Sequence, residues 1–269
     1  MTEAATRRTP GTPCWTSLMV HSLAATQDFY HALFGWEFTP GPRHLGPYVR
    51  ARIGDRLVAG LGELPPERHL PVAWTTYLAS DDVDETAELI RACGGTVAVG
   101  PLDADDAGRM ALAADPEGAA FGVWQEREGL GTEEIGVPGS PVWHELMTRE
   151  SSAVGKFYDM VFGCDSEPSP RRSDGPGTAP GSESGSDVRT LRVAGRPVAA
   201  IHGLGGALPR DRGPHWRTHF AVTDVDKAVR QVAELGGYVI LPPQDGARGR
   251  TATVTDPEGA AFTLVGTDG

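Results

Sequence analysis

Lysine is nearly missing from this chain. Lys156 and Lys227 are the only two in 269 residues, so almost all positive charge is carried by arginine. Lys and Arg together number 24 against 36 Asp and Glu, a formal net charge of −12. A chain this poor in positive charge has no basic patch to offer nucleic acid or an anionic membrane, and neither is expected as a partner. Cysteine is scarce as well. Cys14, Cys93 and Cys164 are odd in number, far apart and form no CxxC pair. They make no disulfide framework, which fits a reducing compartment. No stretch approaches the roughly 18–20 apolar residues of a membrane span, and MTEAATRRTPGTPC has no apolar core of signal-peptide kind. A cytoplasmic, soluble protein is expected, long enough for two domains that each bury a core.

What the chain does contain is a repeat. The heptapeptide DPEGAAF occurs at Asp115–Phe121 and again at Asp256–Phe262. Phe29-Tyr30 returns as Phe157-Tyr158, Phe34-Gly35 as Phe162-Gly163, Trp74 as Trp216, and Asp82-Val83-Asp84 as Asp224-Val225-Asp226. The spacing between copies grows from 128 residues at Phe29/Phe157 to 141 at Asp115/Asp256, so the second copy holds about 13 extra residues before Gly195. The Ser/Gly/Pro-rich segment 165–187 accounts for them, and a segment so poor in large apolar residues is read as a mobile loop. Domain 1 is placed at 12–128, a linker at 129–140 and domain 2 at 141–267. Each copy reads strand, helix, then strands, twice over. CWTSLMV and WTTYLA open the two halves of copy 1 as strands, ATQDFYHALF and VDETAELIRAC follow as helices, and RMALAA and AFGVWQ flank a DPEG turn.

The helix-borne FY and FGW, the GDRLVAGL and AGRPVAAI strands, the SDDVD and TDVD junctions and the terminal DPEG resemble the vicinal oxygen chelate superfamily. That group includes glyoxalase I, extradiol dioxygenases and bleomycin-resistance proteins, and the nearest likeness is to tandem glyoxalase-like proteins labelled "putative hydroxylase". The resemblance covers nearly the whole chain and implies an α+β fold: two tandem domains, each of two βαβββ modules forming a cup-shaped mixed sheet. It also implies a divalent metal held by His and Glu inside the cup. Carried over by motif, the ligand positions fall on Trp15, Thr75 and Gly122 in domain 1 and on Trp143, Arg217 and Thr263 in domain 2. None of these supplies the imidazole, carboxylate or thiolate a catalytic metal wants. Arg217, about 4 Å from a dication, would be repelled by roughly 8 kcal/mol at an effective dielectric near 20. No metal is expected in either cup. A slip of one residue would bring in His144, but it would also turn the whole strand over.

Strand alternation then gives the cup-facing residues. Domain 1 presents Trp15, Ser17, Thr75, Tyr77 and Trp124, a neutral aromatic set suited to stacking a planar ligand. Domain 2 presents Trp143, Glu145, Arg217, His219 and Thr263. There His219 is a candidate general base oriented by Glu145, with Arg217 as a fork donor. The competing reading is a Glu145–Arg217 ion pair that plugs a disused cup. Two functions follow: a metal-independent small-molecule-binding protein, or a glyoxalase-like lyase, isomerase or hydroxylase using Glu145, Arg217 and His219. No cofactor is predicted, although a flavin or deazaflavin ring would suit an aromatic cup. A monomer that imitates a dimer by duplication, or a weak dimer, is expected. His44 and Tyr48 are read as a lip over cup 1, His202 and His215 as rim residues, and the Asp pairs as helix caps.

Overall fold

The computed structural model describes residues 8–41, 46–65, 71–127, 136–169, 187–210, 212–246 and 248–267. Domain 1 opens with β1 (Pro13–Val20), α1 (Leu23–Phe34), β2 (Glu37–Pro40), β3 (Tyr48–Ile53) and β4 (Arg56–Glu63). The same order recurs as β5 (Trp74–Ala79), α2 (Val83–Ala92), β6 (Thr96–Ala104), β7 (Gly108–Ala114) and β8 (Ala120–Glu126). Domain 2 repeats both modules. The first is β9 (Pro141–Thr148), α3 (Ser151–Phe162), β10 (Asp165–Pro168), β11 (Asp187–Val193) and β12 (Arg196–Gly203). The second is β13 (His215–Val222), α4 (Val225–Glu234), β14 (Tyr238–Gly246), β15 (Gly249–Thr255) and β16 (Ala261–Gly266).

Each domain closes its own eight-stranded sheet, in the orders β2-β3-β4-β1-β5-β8-β7-β6 and β10-β11-β12-β9-β13-β16-β15-β14. The opening strands β1 and β5 pair antiparallel at the centre, while β1 with β4 and β5 with β8 run parallel, so the sheets are mixed. This is the α+β tandem architecture implied by the resemblance. Asp82 caps α2 by accepting from the N–H groups of Asp84 and Glu85, and Asp224 caps α4 through Lys227. Both are structural roles.

Two sequence expectations need correction. The segment 165–187 is not loop throughout, because residues 165–168 form β10 and pair with β11 from Asp165↔Arg192 to Pro168↔Arg189. Its polar sequence hides the strand, but an edge ladder and the Ser166 hydroxyl donating to Asp159 at 2.7 Å satisfy the segment without apolar burial. Residues 170–186, residue 128 and residues 129–135 of the linker lie outside the described residues. The other concerns β6, the module's first post-helix strand, whose TVAVGPLDA carries no clear strand pattern because of its Gly-Pro pair. An outer strand tolerates the Gly-Pro pair that a central one would reject, and its register to β7 shifts at two bulges.

The helices lie between the two sheets, α1 packing on α4 and α2 on α3. Consequently each of the two largest core clusters mixes residues of both domains. Tyr30, Trp36 and Trp74 pack with Phe220 and Phe262, while Phe121 packs with Phe157, Tyr158 and Trp216. The repeated motifs meet in this interface. The Tyr30 hydroxyl donates to Asp256 at 3.1 Å and accepts from the Trp74 indole at 3.2 Å. Its counterpart Tyr158 donates to Asp115 at 3.2 Å and accepts from Trp216 at 3.0 Å. Each Asp also closes its own DPEG turn, Asp115 accepting from the N–H groups of Glu117 and Ala119. Glu258 reaches across as well, accepting from the N–H groups of His21 and Ser22 at the start of α1. DPEG is a turn, and it is also the clasp between domains.

Candidate functional site: two unequal cups

On β1, residues Thr16, Leu18 and Val20 point to the interface and are buried, leaving Trp15, Ser17 and Met19 for the cup. Trp15, Ser17, Thr75, Tyr77 and Trp124 all line one cavity of about 380 Å³ in domain 1, a volume within the range of pockets that hold drug-sized ligands. Tyr48, Arg50, Leu102 and Met110 complete much of its wall. The Trp15 indole donates to the Tyr48 hydroxyl at 3.2 Å, and Ser17 donates to the Tyr77 hydroxyl at 3.2 Å. Burial raises the pKa of both tyrosines above its ordinary value, so each remains a neutral phenol. Tyr48 is thus a wall of the cup rather than a lip. Glycines of β4 make room for it: a Cβ on Gly60 would overlap the Tyr48 hydroxyl. His44 lies outside the described residues.

Domain 2 builds a polar site on the same framework. Ser17 and Glu145 are equivalent by register, each opposite the third position of β13 or its β5 counterpart (Ser17↔Thr75, Glu145↔Arg217). In the same way His219 stands where Tyr77 does, and His202 where Gly62 does. Glu145 therefore sits between two imidazoles, 3.2 Å from His219 Nε2 and 3.4 Å from His202 Nε2. These contacts are close but poorly aligned, and neither ring nitrogen of the buried His219 has a well-formed hydrogen bond. Burial alone would raise the Glu145 carboxyl; the contacts from His202 and His219 outweigh it and hold Glu145 well below the usual carboxylate range. Burial also lowers the Arg217 pKa, partly offset by the Glu145 charge.

The Glu145–Arg217 ion pair of the competing reading is not formed. Glu145 engages the two histidines, and Arg217 instead points Nη2 toward His215 Nε2 at 3.4 Å. His202 is correspondingly no solvated rim residue. Its position on β12, beside Met147 of β9, directs it into the cup. Trp143 is not a bare wall either, since the Arg248 guanidinium carbon lies 3.5 Å from its ring centroid in a cation–π contact. Arg248 lies between β14 and β15, and no local sequence signal points to it. Thr263 is buried in the cup and shares a hydrogen bond with Thr253 at 3.3 Å.

The fold family implies a divalent metal, and the donor set does not fit one. Among the described residues there is no group of three or more His, Cys, Asp and Glu arranged to hold an ion. In domain 1 the Tyr77 ring lies against Gly122, where a Cβ would already overlap it, so the space of a ligating side chain is filled. His144 projects from the other face of β9 into the domain interface, 3.0 Å from the Thr76 hydroxyl. There burial, reinforced by His219, depresses its pKa to about 3 and keeps it neutral. Cys14 and Cys164 are buried thiols pushed up to about 12, chiefly by desolvation, and Cys93 is half-buried.

Paired βαβββ modules curled around a cup, twice in one chain, define the glyoxalase-type class of two-domain proteins. The chain belongs to the vicinal oxygen chelate superfamily and carries two tandem glyoxalase-like domains. Residues 14–123 match the Glyoxalase/Bleomycin resistance protein/Dioxygenase superfamily, and residues 144–265 match the Glyoxalase-like domain. The chain is 37% identical to anthracycline biosynthesis protein DnrV of Streptomyces peucetius, over 97% of this chain and 94% of that protein. It is 34% identical to "Putative glyoxylase CFP32" of Mycobacterium tuberculosis, over 95% and 94% respectively. Among solved structures, the 2,3-dioxygenase LapB of Pseudomonas sp. KL28 superposes with a TM-score of 0.65 at 16% identity, covering 97% of this chain and 94% of that one. The Mn(II)-bound glyoxalase of Novosphingobium aromaticivorans gives 0.62 at 17%, covering 96% and 83%. At these identities the structural likeness speaks for the fold alone.

Proposed function

We propose that this protein binds a small planar molecule in the cup of domain 1 without a metal. The observation that carries the reading is the 380 Å³ cavity walled by Trp15, Tyr48, Tyr77 and Trp124, with Tyr77 lying where a metal ligand would need to stand. Aromatic faces at several sides of one cavity favour offset stacking on a flat ring system. The similarity to a relative named for anthracycline biosynthesis supports a small-molecule role. A flavin or deazaflavin ring has the right shape for the cup, and visible absorbance of the purified protein tests for one. The test of the reading itself is a ligand screen by tryptophan fluorescence together with elemental analysis after incubation with iron, zinc, nickel and manganese. Saturable quenching that Trp15→Ala weakens, with no stoichiometric metal, supports it. Tight stoichiometric metal overturns it.

The Glu145–His219 contact favours a second reading, proton transfer in cup 2. A general base needs to be oriented and shielded from bulk water, and His219 has both a carboxylate at 3.2 Å and near-complete burial. Arg217 would hold a carbonyl or carboxylate oxygen of the substrate. On this reading His219→Ala abolishes turnover and leaves ligand affinity largely intact. The duplicated domains supply their own two-fold contact, so a monomer is the proposed assembly, tested by sedimentation. No described helix is long and apolar enough to cross a membrane.

A further inference from the structure

We infer that the cup of domain 1 selects acidic planar ligands, with the Arg50 guanidinium as the group that receives the anion. The inference rests on the binding role proposed above and specifies the chemistry of its ligand.

Arg50 is placed by strand alternation. On β3, Ala51 faces the buried core, and Tyr48 and Arg50 both line the cavity. Among the described residues lining that cavity Arg50 is the only charged one, and none of them is a carboxylate that could neutralise it. Its situation differs from that of four other strand arginines. Arg52 pairs with Asp55, Arg109 with Asp84 and Asp103, Arg192 with Glu167, and Arg250 with Asp226 and Asp245. Arg50 makes no hydrogen bond or ion pair to any described residue, and its Nε is buried without a partner. A buried guanidinium N–H without a partner costs free energy until an acceptor reaches it.

The neighbouring polar groups point the same way. Tyr48 and Tyr77 each accept a hydrogen bond, from Trp15 and Ser17, which leaves their own hydroxyl protons free to be donated. Among the described residues the polar inventory of the cup is therefore rich in donors and holds no ionised acceptor. A ligand that satisfies it must bring acceptor oxygens, and a planar carboxylate, phenolate or enolate brings them with the charge Arg50 lacks. The chain as a whole carries −12, so its long-range field repels anions and only a local cation can reverse that preference. Cup 2 differs here: its buried cation Arg217 lies on the strand beside Glu145, an acid already present.

Isothermal titration with three ligands of one shape tests this: 2-naphthoate, neutral 2-naphthamide and cationic 2-naphthylmethylammonium. The expected order is naphthoate tightest, by about 10-fold to 100-fold over the amide, the range for a charge-assisted hydrogen bond, with the cation weakest. Arg50→Met should remove that advantage and leave amide affinity within about 3-fold, and Arg50→Lys should keep part of it, since charge remains but the fork is lost. Equal binding of naphthoate and amide by the unaltered protein overturns the acidic-ligand inference while leaving the cup a binding site. So does a naphthoate preference that survives Arg50→Met but disappears with Arg217→Met, which assigns the anion to domain 2. If none of the three binds, or Trp15→Ala changes nothing, the binding role itself fails.

Discussion

Removing one hydroxyl from the domain interface, by Tyr30→Phe, should destabilise the whole protein far more than its size suggests. The Tyr30 ring is fully buried and stacks with Trp36 at 5.1 Å between centroids, so phenylalanine keeps the packing and loses only the oxygen. That oxygen is engaged twice, with Asp256 at 3.1 Å and with Trp74 at 3.2 Å. A hydrogen bond to a charged group contributes about 1.5–3 kcal/mol, and the stranded Trp74 N–H costs about 1–3 kcal/mol. The two share one atom and do not simply add, so about 2–5 kcal/mol is expected in total. At roughly 2–4 °C per kcal/mol for a chain of this size, Tm should fall by about 4–20 °C. Denaturant unfolding at about pH 7.5 gives the energy directly, with Tyr238→Phe as control because Tyr238 is 69% exposed. A double-mutant cycle with Asp256→Asn should show a coupling above about 0.5 kcal/mol. A loss no larger than that of the control, or no coupling, refutes the clasp.

The same aspartates predict a pH dependence. Burial raises both Asp115 and Asp256 from 3.8 to about 6, so the folded state holds their protons more tightly than the unfolded chain. Their contribution is thus fully present below about pH 4 and lost as pH rises through about 6; the denaturant midpoint should fall between about pH 4 and 6, and Asp115→Asn with Asp256→Asn should flatten that slope. Glu145, held low, acts in the opposite sense: its contribution is lost as pH falls below the ordinary carboxylate range, so Glu145→Gln should lower the midpoint at neutral pH and converge with the unaltered protein in acid. Grafting the family's glutamate by Gly122→Glu should destabilise the protein and bind no metal, because its Cβ meets the Tyr77 ring; thermal melts and elemental analysis check both.

Much of the fold was legible because its signals are local. The period-2 pattern of PCWTSLMV and WTTYLA sorts cup face from interface face, and Trp15, Ser17, Thr75, Tyr77 and Trp124 lie around one cavity as that alternation requires. The polar site was less legible for a different reason. Glu145 finds His202 rather than Arg217, and this depends on the parallel register of β12 on β9, which side-chain alternation along one strand does not reveal. Arg50 was invisible because an unpaired arginine on an edge-side strand looks like any solvated one. The meaning of the repeat was hidden by distance. Tyr30 and Asp256 are separated by 226 positions, and no pattern within either copy shows that each motif serves the other copy.

That crossed clasp bears on how the two halves can change. A substitution in either DPEG is felt in the opposite half, through Tyr30 or Tyr158, so the two copies of the motif are bound to a common partner surface and to each other's history. The cups carry no such obligation. Ser17 can stand opposite Glu145 in the duplicate, Tyr77 opposite His219 and Gly62 opposite His202 without touching the seam. A pair of separate subunits encoded by one gene would have to alter both cups at once. Fusing them into one chain frees each cup to take its own chemistry while the joint stays fixed, and the neutral aromatic cup beside the histidine-flanked acidic one is what that freedom produces.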